Sequence, residues 1–268
     1  MNYIFLSFLS VLSLKSIAAI DTLKTQKPPV TVIFAAQFSN NANYYGQTTD
    51  EKLPYILTNA SVTFPNGVWL SGGAYKLLNA GGGSSVSILG IGYDFALAKS
   101  LNGSVSYSYS FYPPSSPLLQ AGNDNMASAS LEYELKWFNT MLNADYAYGE
   151  EKDLFLTFTN SKFIDLGSLL TKKDYISLEP AIELVGGTQH FYRTYTTKRK
   201  GKSKKSKTTT VATQSFEFIS YNLKLPVAYN RDHYSIEVGN QVSFLGKKVA
   251  SYSNKPRYFL NLSFYYLF

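Results

Sequence analysis

The final stretch of the chain, RYFLNLSFYYLF from Arg257 to Phe268, restricts the fold more than any other. Counting back by twos from Phe268 gives Tyr266, Phe264, Leu262, Leu260 and Tyr258, an unbroken apolar and aromatic row. The interleaved row, Leu267, Tyr265, Ser263, Asn261, Phe259 and Arg257, is mixed and turns polar toward Arg257. Period two belongs to a strand, whose side chains point alternately to opposite faces, so one face is greasy and the other tolerates water. Ser104 to Phe111 repeats the pattern more sharply, with Val105, Tyr107, Tyr109 and Phe111 alternating with serines. Large rings on one face and hydroxyls on the other suit a strand standing between lipid and a wet interior.

The closing row resembles the last strand of bacterial outer-membrane β-barrel proteins, which alternates in this way and ends in an aromatic residue, most often Phe. The resemblance implies that Tyr258, Leu260, Leu262, Phe264, Tyr266 and Phe268 form the signal read by the barrel-insertion machinery, and that this strand closes the barrel. Gly187-Thr188-Gln189 before an aromatic strand end, Leu223-Lys224-Leu225-Pro226, and a make-up rich in Tyr, Asn and Lys are similar to small barrels of Bacteroidota-type bacteria, in style rather than in motif. The location implied is the outer membrane, with its lipids and lipopolysaccharide as surroundings.

The other end of the chain fits export. An apolar run from Tyr3 to Leu14 precedes Ser16-Ile17-Ala18, small residues where a signal peptidase inspects the chain, so 1–18 reads as a signal peptide and 19–29 as a polar, periplasmic N-terminal segment. The run falls short of the roughly 20 apolar residues of a membrane-spanning helix. The chain has no Cys, which excludes disulfide stapling, thiolate chemistry and a lipidated N-terminal Cys. A mean hydropathy of −0.12 is too polar for helical spans but fits a barrel, in which every second strand residue meets lipid.

Residues 30–268 divide into about twelve strand-like segments, with ten as the alternative, predicting a closed antiparallel up-and-down transmembrane β-barrel. They are Val30–Ser39, Tyr55–Phe64, Val68–Lys76, Ser85–Ala98, Ser104–Phe111, Ala127–Trp137, Thr140–Tyr148, Asp153–Thr159, Tyr175–Phe191, Val211–Leu225, Tyr234–Phe244 and Arg257–Phe268. Short connections near Pro65, Lys99, Phe138 and Asn230 alternate with mostly long ones beginning at Asn40, Leu77, Pro113, Tyr192 and Leu245, as periplasmic turns alternate with outer loops. Asn160 to Asp174 is irregular, with room for a short helix. Closure is demanded because each unpaired backbone group in hydrocarbon costs several kcal/mol.

The expected lumen-facing charges are Asp94, Glu132, Glu134, Lys136, Asp145, Glu179, Glu183, Glu217, Lys224, Glu237 and Arg257, in which acids outnumber bases. In a water-filled pore such an excess favours cations; in a narrow barrel the same groups pair and plug the lumen. Both readings stand. The formal net charge of +7 is concentrated in one loop, at Arg193, Lys198, Arg199, Lys200, Lys202, Lys204, Lys205 and Lys207; removing those eight leaves −1. That loop reads as a solvated outer segment, or as a binder of anionic groups such as lipopolysaccharide phosphates or a surface or periplasmic partner protein. Without aromatic interleaving, and with an export signal, it is no nucleic-acid site.

Function classes narrow accordingly. A channel or uptake pore for small solutes is the leading expectation, and a non-conducting structural or adhesive barrel is the rival. A lipid hydrolase ranks last. The chain has two histidines, His190 and His233; His190 would have to reach Ser215 with Glu183 or Glu217 as orienter, and no hydrolase signature surrounds them. Two lone histidines also build no metal site, and no cofactor is expected.

Overall fold

Fourteen strands run through the computed structural model, which describes residues 30–48, 52–79, 85–112, 123–149, 152–188, 215–247, 249 and 255–268. In chain order they are β1 (Thr31–Ser39), β2 (Tyr55–Thr63), β3 (Val68–Leu77), β4 (Val86–Ala98), β5 (Leu101–Phe111), β6 (Asn125–Glu134), β7 (Asn139–Tyr148), β8 (Lys152–Ser161), β9 (Ile164–Asp165), β10 (Asp174–Leu178), β11 (Ala181–Gly187), β12 (Glu217–Arg231), β13 (Tyr234–Leu245) and β14 (Arg257–Leu267). All pair antiparallel. Each strand from β1 to β8 lies beside its sequence neighbour, β1 meets β14, and β8 and β12 both pair with β11, so the sheet has no free edge. The expected signal segment and the basic loop lie outside the described residues.

Fourteen strands make twelve staves, because β8 runs on into β9 and β10 runs on into β11. The second break has a chemical cause. Between Leu178↔Val227 and Ala181↔Lys224 stand Pro180 on one side and Pro226 on the other, neither with an N–H to give. One backbone bond crosses there, from Glu179 N–H to the Pro226 carbonyl at 3.1 Å. The segment 160–174 forms no helix. Asn160 and Ser161 complete β8, and Asp174 holds the following turn by accepting the amides of Leu169, Leu170 and Thr171. Other boundaries differ from the sequence pattern, two of them by several residues or more. β5 begins at Leu101, and β12 spans Glu217–Arg231, its pattern having carried through the turn residues at Asn230.

Side-chain alternation divides the staves as the periodicity requires. Phe34, Leu89, Ile91, Val105, Leu142, Phe158, Leu184, Val238, Leu262 and Phe264 all stand exposed on the outer face. So large a contiguous apolar surface is untenable in water and suits acyl chains. Both described ends of the chain lie at the end of the barrel with the tight connections: Phe268 donates its amide to the Val32 carbonyl at 3.0 Å. This is the turn end; the opposite one is the loop end.

Candidate functional site: the lumen and its inserted loop

The inner face is not uniform around the barrel. On one side Ser61, Ser71, Gly90 and Ser108 stand abreast across β2 to β5, with Gly92, Ser106 and Ser128 in the next row. Most of these residues are half-buried, and Gly92 is buried against the Trp69 indole. The opposite side carries the large polar groups. Glu183 on β11 accepts from Lys224 Nζ at 2.6 Å and from Asn222 Nδ2 at 2.9 Å. Glu179 accepts from Ser161 Oγ at 2.9 Å, and Glu237 lies on the inner row of β13 between Ser235 and Gly239.

Sequence periodicity assigns the β1–β2 connection to an outer loop; the structure folds it inward. Tyr44 and Gln47 exchange backbone hydrogen bonds, both 2.8 Å, around Tyr45 (φ 48°) and Gly46 (φ 85°). Two successive positive φ values are those of a type I′ turn, which favours glycine at the second position. Gly46 is also required by contact, since a Cβ there would lie 2.5 Å from both Ser220 Oγ and Asn222 Oδ1. Three staves hold the turn. Tyr45 donates its hydroxyl to Asp145 on β7 at 2.8 Å, Ser220 on β12 donates to the Tyr45 carbonyl at 2.7 Å, and Asn43 donates to Gln241 on β13 at 3.2 Å. The receiving surface on β12 exists because the register shifts between Val185 and Gly186, leaving Ile219 and Ser220 both buried on the inner side.

Packing reinforces the polar tethers. The Tyr45 ring stacks on Phe155 with centroids 4.1 Å apart, and Tyr44 meets Phe155 edge-on at 5.4 Å. Tyr44, Phe155, Val185 and Ile219 form one buried cluster; Ala42, Leu53, Tyr75, Leu77, Val86 and Ile88 form another. Tyr112 packs against both, so apolar contact spans the loop end of the lumen from β3–β4 to β11–β12. Burial, with Asp153 next in importance, pushes the Tyr44 phenol up; burial, followed by Asp145, does the same for Tyr45. Both rings are therefore neutral.

The charges expected inside fall into three groups. Asp145 is buried and accepts from Tyr45, from Ser128 Oγ at 2.6 Å and from Asn143 Nδ2 at 2.7 Å, so it serves the inserted turn. Toward the turn end, Asp94 accepts from Ser104 Oγ at 2.6 Å and Trp69 Nε1 at 3.2 Å, Glu134 accepts from Asn102 Nδ2 at 3.2 Å, and Glu132 shares their face of β6. Toward the loop end, Glu217 accepts from Ser215 Oγ at 2.6 Å, and Arg257 has its Nε buried without a partner among the described residues. Lys136 departs from expectation. It stands beyond the end of β6, in the β6–β7 turn, with Nζ 5.4 Å from the centre of the Trp137 ring. Sequence reasoning missed Asp153, the buried inner carboxylate on β8 that accepts from Thr188 Oγ1 at 2.7 Å. The alternation of Leu154, Leu156 and Phe158 is the signal that assigns it to the inner row.

Hydrolase geometry does not assemble from the described residues. Ser215 is engaged by Glu217, His233 sits in the turn before β13 with its ring 6.5 Å from Tyr266, and His190 lies outside the described residues.

No protein-family model and no curated protein matches the sequence. Among solved structures the chain is similar to the KdgM porin, with 10% identity over 88% of this chain and 98% of that one and a TM-score of 0.48. It is similar also to LpxR from Salmonella typhimurium (9% identity, 88% and 100% covered, TM-score 0.49) and to the NanC porin (9% identity, 88% and 98% covered, TM-score 0.47). Likeness at this identity is one of barrel architecture.

Proposed function

We propose that this protein is an outer-membrane channel for small solutes with a weakly acidic lumen, stoppered in its resting form by the β1–β2 connection. In this reading the turn end faces the periplasm, the loop end faces outward, and residues 1–18 direct export. The wall that carries it is the band of serine and glycine on β2 to β5, whose small side chains stand opposite the staves to which the inserted turn is tied. Inner carboxylates at Asp94, Glu132, Glu134, Glu179 and Glu237 outnumber the inner cations Lys224 and Arg257, and Glu183 already neutralises Lys224. A field of that sign favours cations over anions. The basic loop belongs to this reading as an outer segment that meets anionic surface groups, and the compositional likeness to small Bacteroidota-type barrels as its setting.

The apolar bridge through Tyr112 favours a second reading, a non-conducting barrel whose loops bind a surface ligand. Planar-bilayer recording of the refolded protein separates them. The channel predicts rare or small cation-selective steps for the natural sequence and larger, frequent ones after deletion of residues 42–53. Lys224→Met should shift the reversal potential further toward cations. Silence from both the natural sequence and the deletion overturns the channel.

A further inference from the structure

The turn end carries a cluster that the lumen does not use. Trp137 projects from the β6–β7 turn, 67% exposed, and two ammonium groups share its ring: Lys136 Nζ at 5.4 Å and Lys162 Nζ at 5.2 Å from the centroid. An aromatic face attracts one cation favourably, but two at one ring repel each other. Neither lysine has a carboxylate partner among the described residues. An anion is the missing component.

The surroundings say which anion. Immediately beyond Lys162 the β9–β10 hairpin continues the outer belt: Ile164 pairs with Leu178, and Leu178 with the lipid-facing Val227. Its turn, fixed in shape by Asp174, leaves Leu166, Leu169 and Leu170 exposed, Leu170 at 72%. The apolar surface thus runs from the barrel wall onto the hairpin, with the lysines at its margin. That order of layers, acyl-facing side chains and then cations beside an interfacial indole, matches the cross-section of a leaflet.

We propose that the rim between the β6–β7 turn and the β9–β10 hairpin binds the headgroup of an anionic phospholipid of the adjoining leaflet. Lys136 and Lys162 donate to the phosphate, and Trp137 lies at the level of the glycerol backbone. The inference rests on the reading of the outer belt as membrane-facing. It does not depend on whether the lumen conducts.

Trp69→Phe leaves Trp137 as the lone tryptophan of two, which makes it a reporter. The full-length variant is refolded into phosphatidylcholine vesicles containing a small fraction of brominated phosphatidylglycerol, or of brominated phosphatidylcholine. Each lysine near an anionic lipid is expected to enrich it about five-fold. Quenching by the phosphatidylglycerol should therefore exceed that by phosphatidylcholine several-fold, and Lys136→Gln/Lys162→Gln should abolish the difference. Equal quenching by the two lipids, or a preference that survives the double substitution, overturns the site; absence of quenching by either lipid overturns the membrane reading itself. Native mass spectrometry avoids the Trp69 substitution. Phosphatidylglycerol adducts should persist on the natural sequence and not on the double-lysine variant, and adducts on both overturn the proposal.

Discussion

Asp145 and Tyr45 set the energetics of the inserted turn. The carboxylate receives three side-chain donors, and removing it would leave all three without their partner. Tyr45→Phe removes only the hydroxyl and should weaken seating by about 1 kcal/mol, which would raise open probability in bilayer recordings roughly five-fold; no change would show that the stacking on Phe155 dominates. The pH response follows from the raised phenols. Tyr44 and Tyr45 favour the seated state in their neutral form. Their contribution is therefore complete below the free-phenol value of about 10 and is lost only as pH rises through their elevated values. Ultraviolet titration should reveal fewer late-ionising tyrosines in Tyr44→Phe/Tyr45→Phe than in the natural sequence. Equal numbers would contradict the buried placement.

Two strand-level features make opposite predictions. Trp69 lies flat against Gly92, where a Cβ would come within 2.3 Å of the indole. Gly92→Ala should destabilise by about 1–3 kcal/mol through overpacking, and pairing it with Trp69→Ala should recover most of the loss in urea unfolding; additive losses would show that the indole can move aside. Pro226→Val, by contrast, supplies an N–H on the side where the Pro226 carbonyl already meets Glu179, and should stabilise the β11–β12 seam by about 0.5–1.5 kcal/mol. A lower melting temperature would show that the proline's fixed φ outweighs the missing bond. These elements also mark what the sequence disclosed. Period two located the staves and the outer row because lipid enforces alternation on every strand. It gave no sign that Tyr44 to Gln47 fold inside, since a Tyr-Tyr-Gly turn is compatible with either side of the wall and its anchors Asp145, Ser220 and Gln241 lie far away in the chain. For a related reason periodicity assigns Lys136 to the inner row: alternation runs on through Leu135 and Trp137, whereas β6 ends at Glu134.

For the molecule as a whole, closure joins the first described strand to the last. Phe268 is 72% exposed on the outer face and anchored by its amide to β1. If its ring contributes to the insertion signal, Phe268→Ser should lower the yield of assembled barrel in cells several-fold. Detergent refolding, which bypasses the insertion machinery, should change little. Equal losses in both would assign the ring to stability alone.

Drawing the β1–β2 connection into the bore also alters what this end of the barrel presents to its surroundings. In the proposed orientation, residues 42–47 become concealed sequence, poorly accessible to antibodies, phage tail fibres or proteases arriving from outside. A serum raised against a peptide of those residues should stain intact cells weakly and permeabilised, denatured ones strongly. Ser220→Val, by removing the hydroxyl that grips the Tyr45 carbonyl, should narrow that contrast.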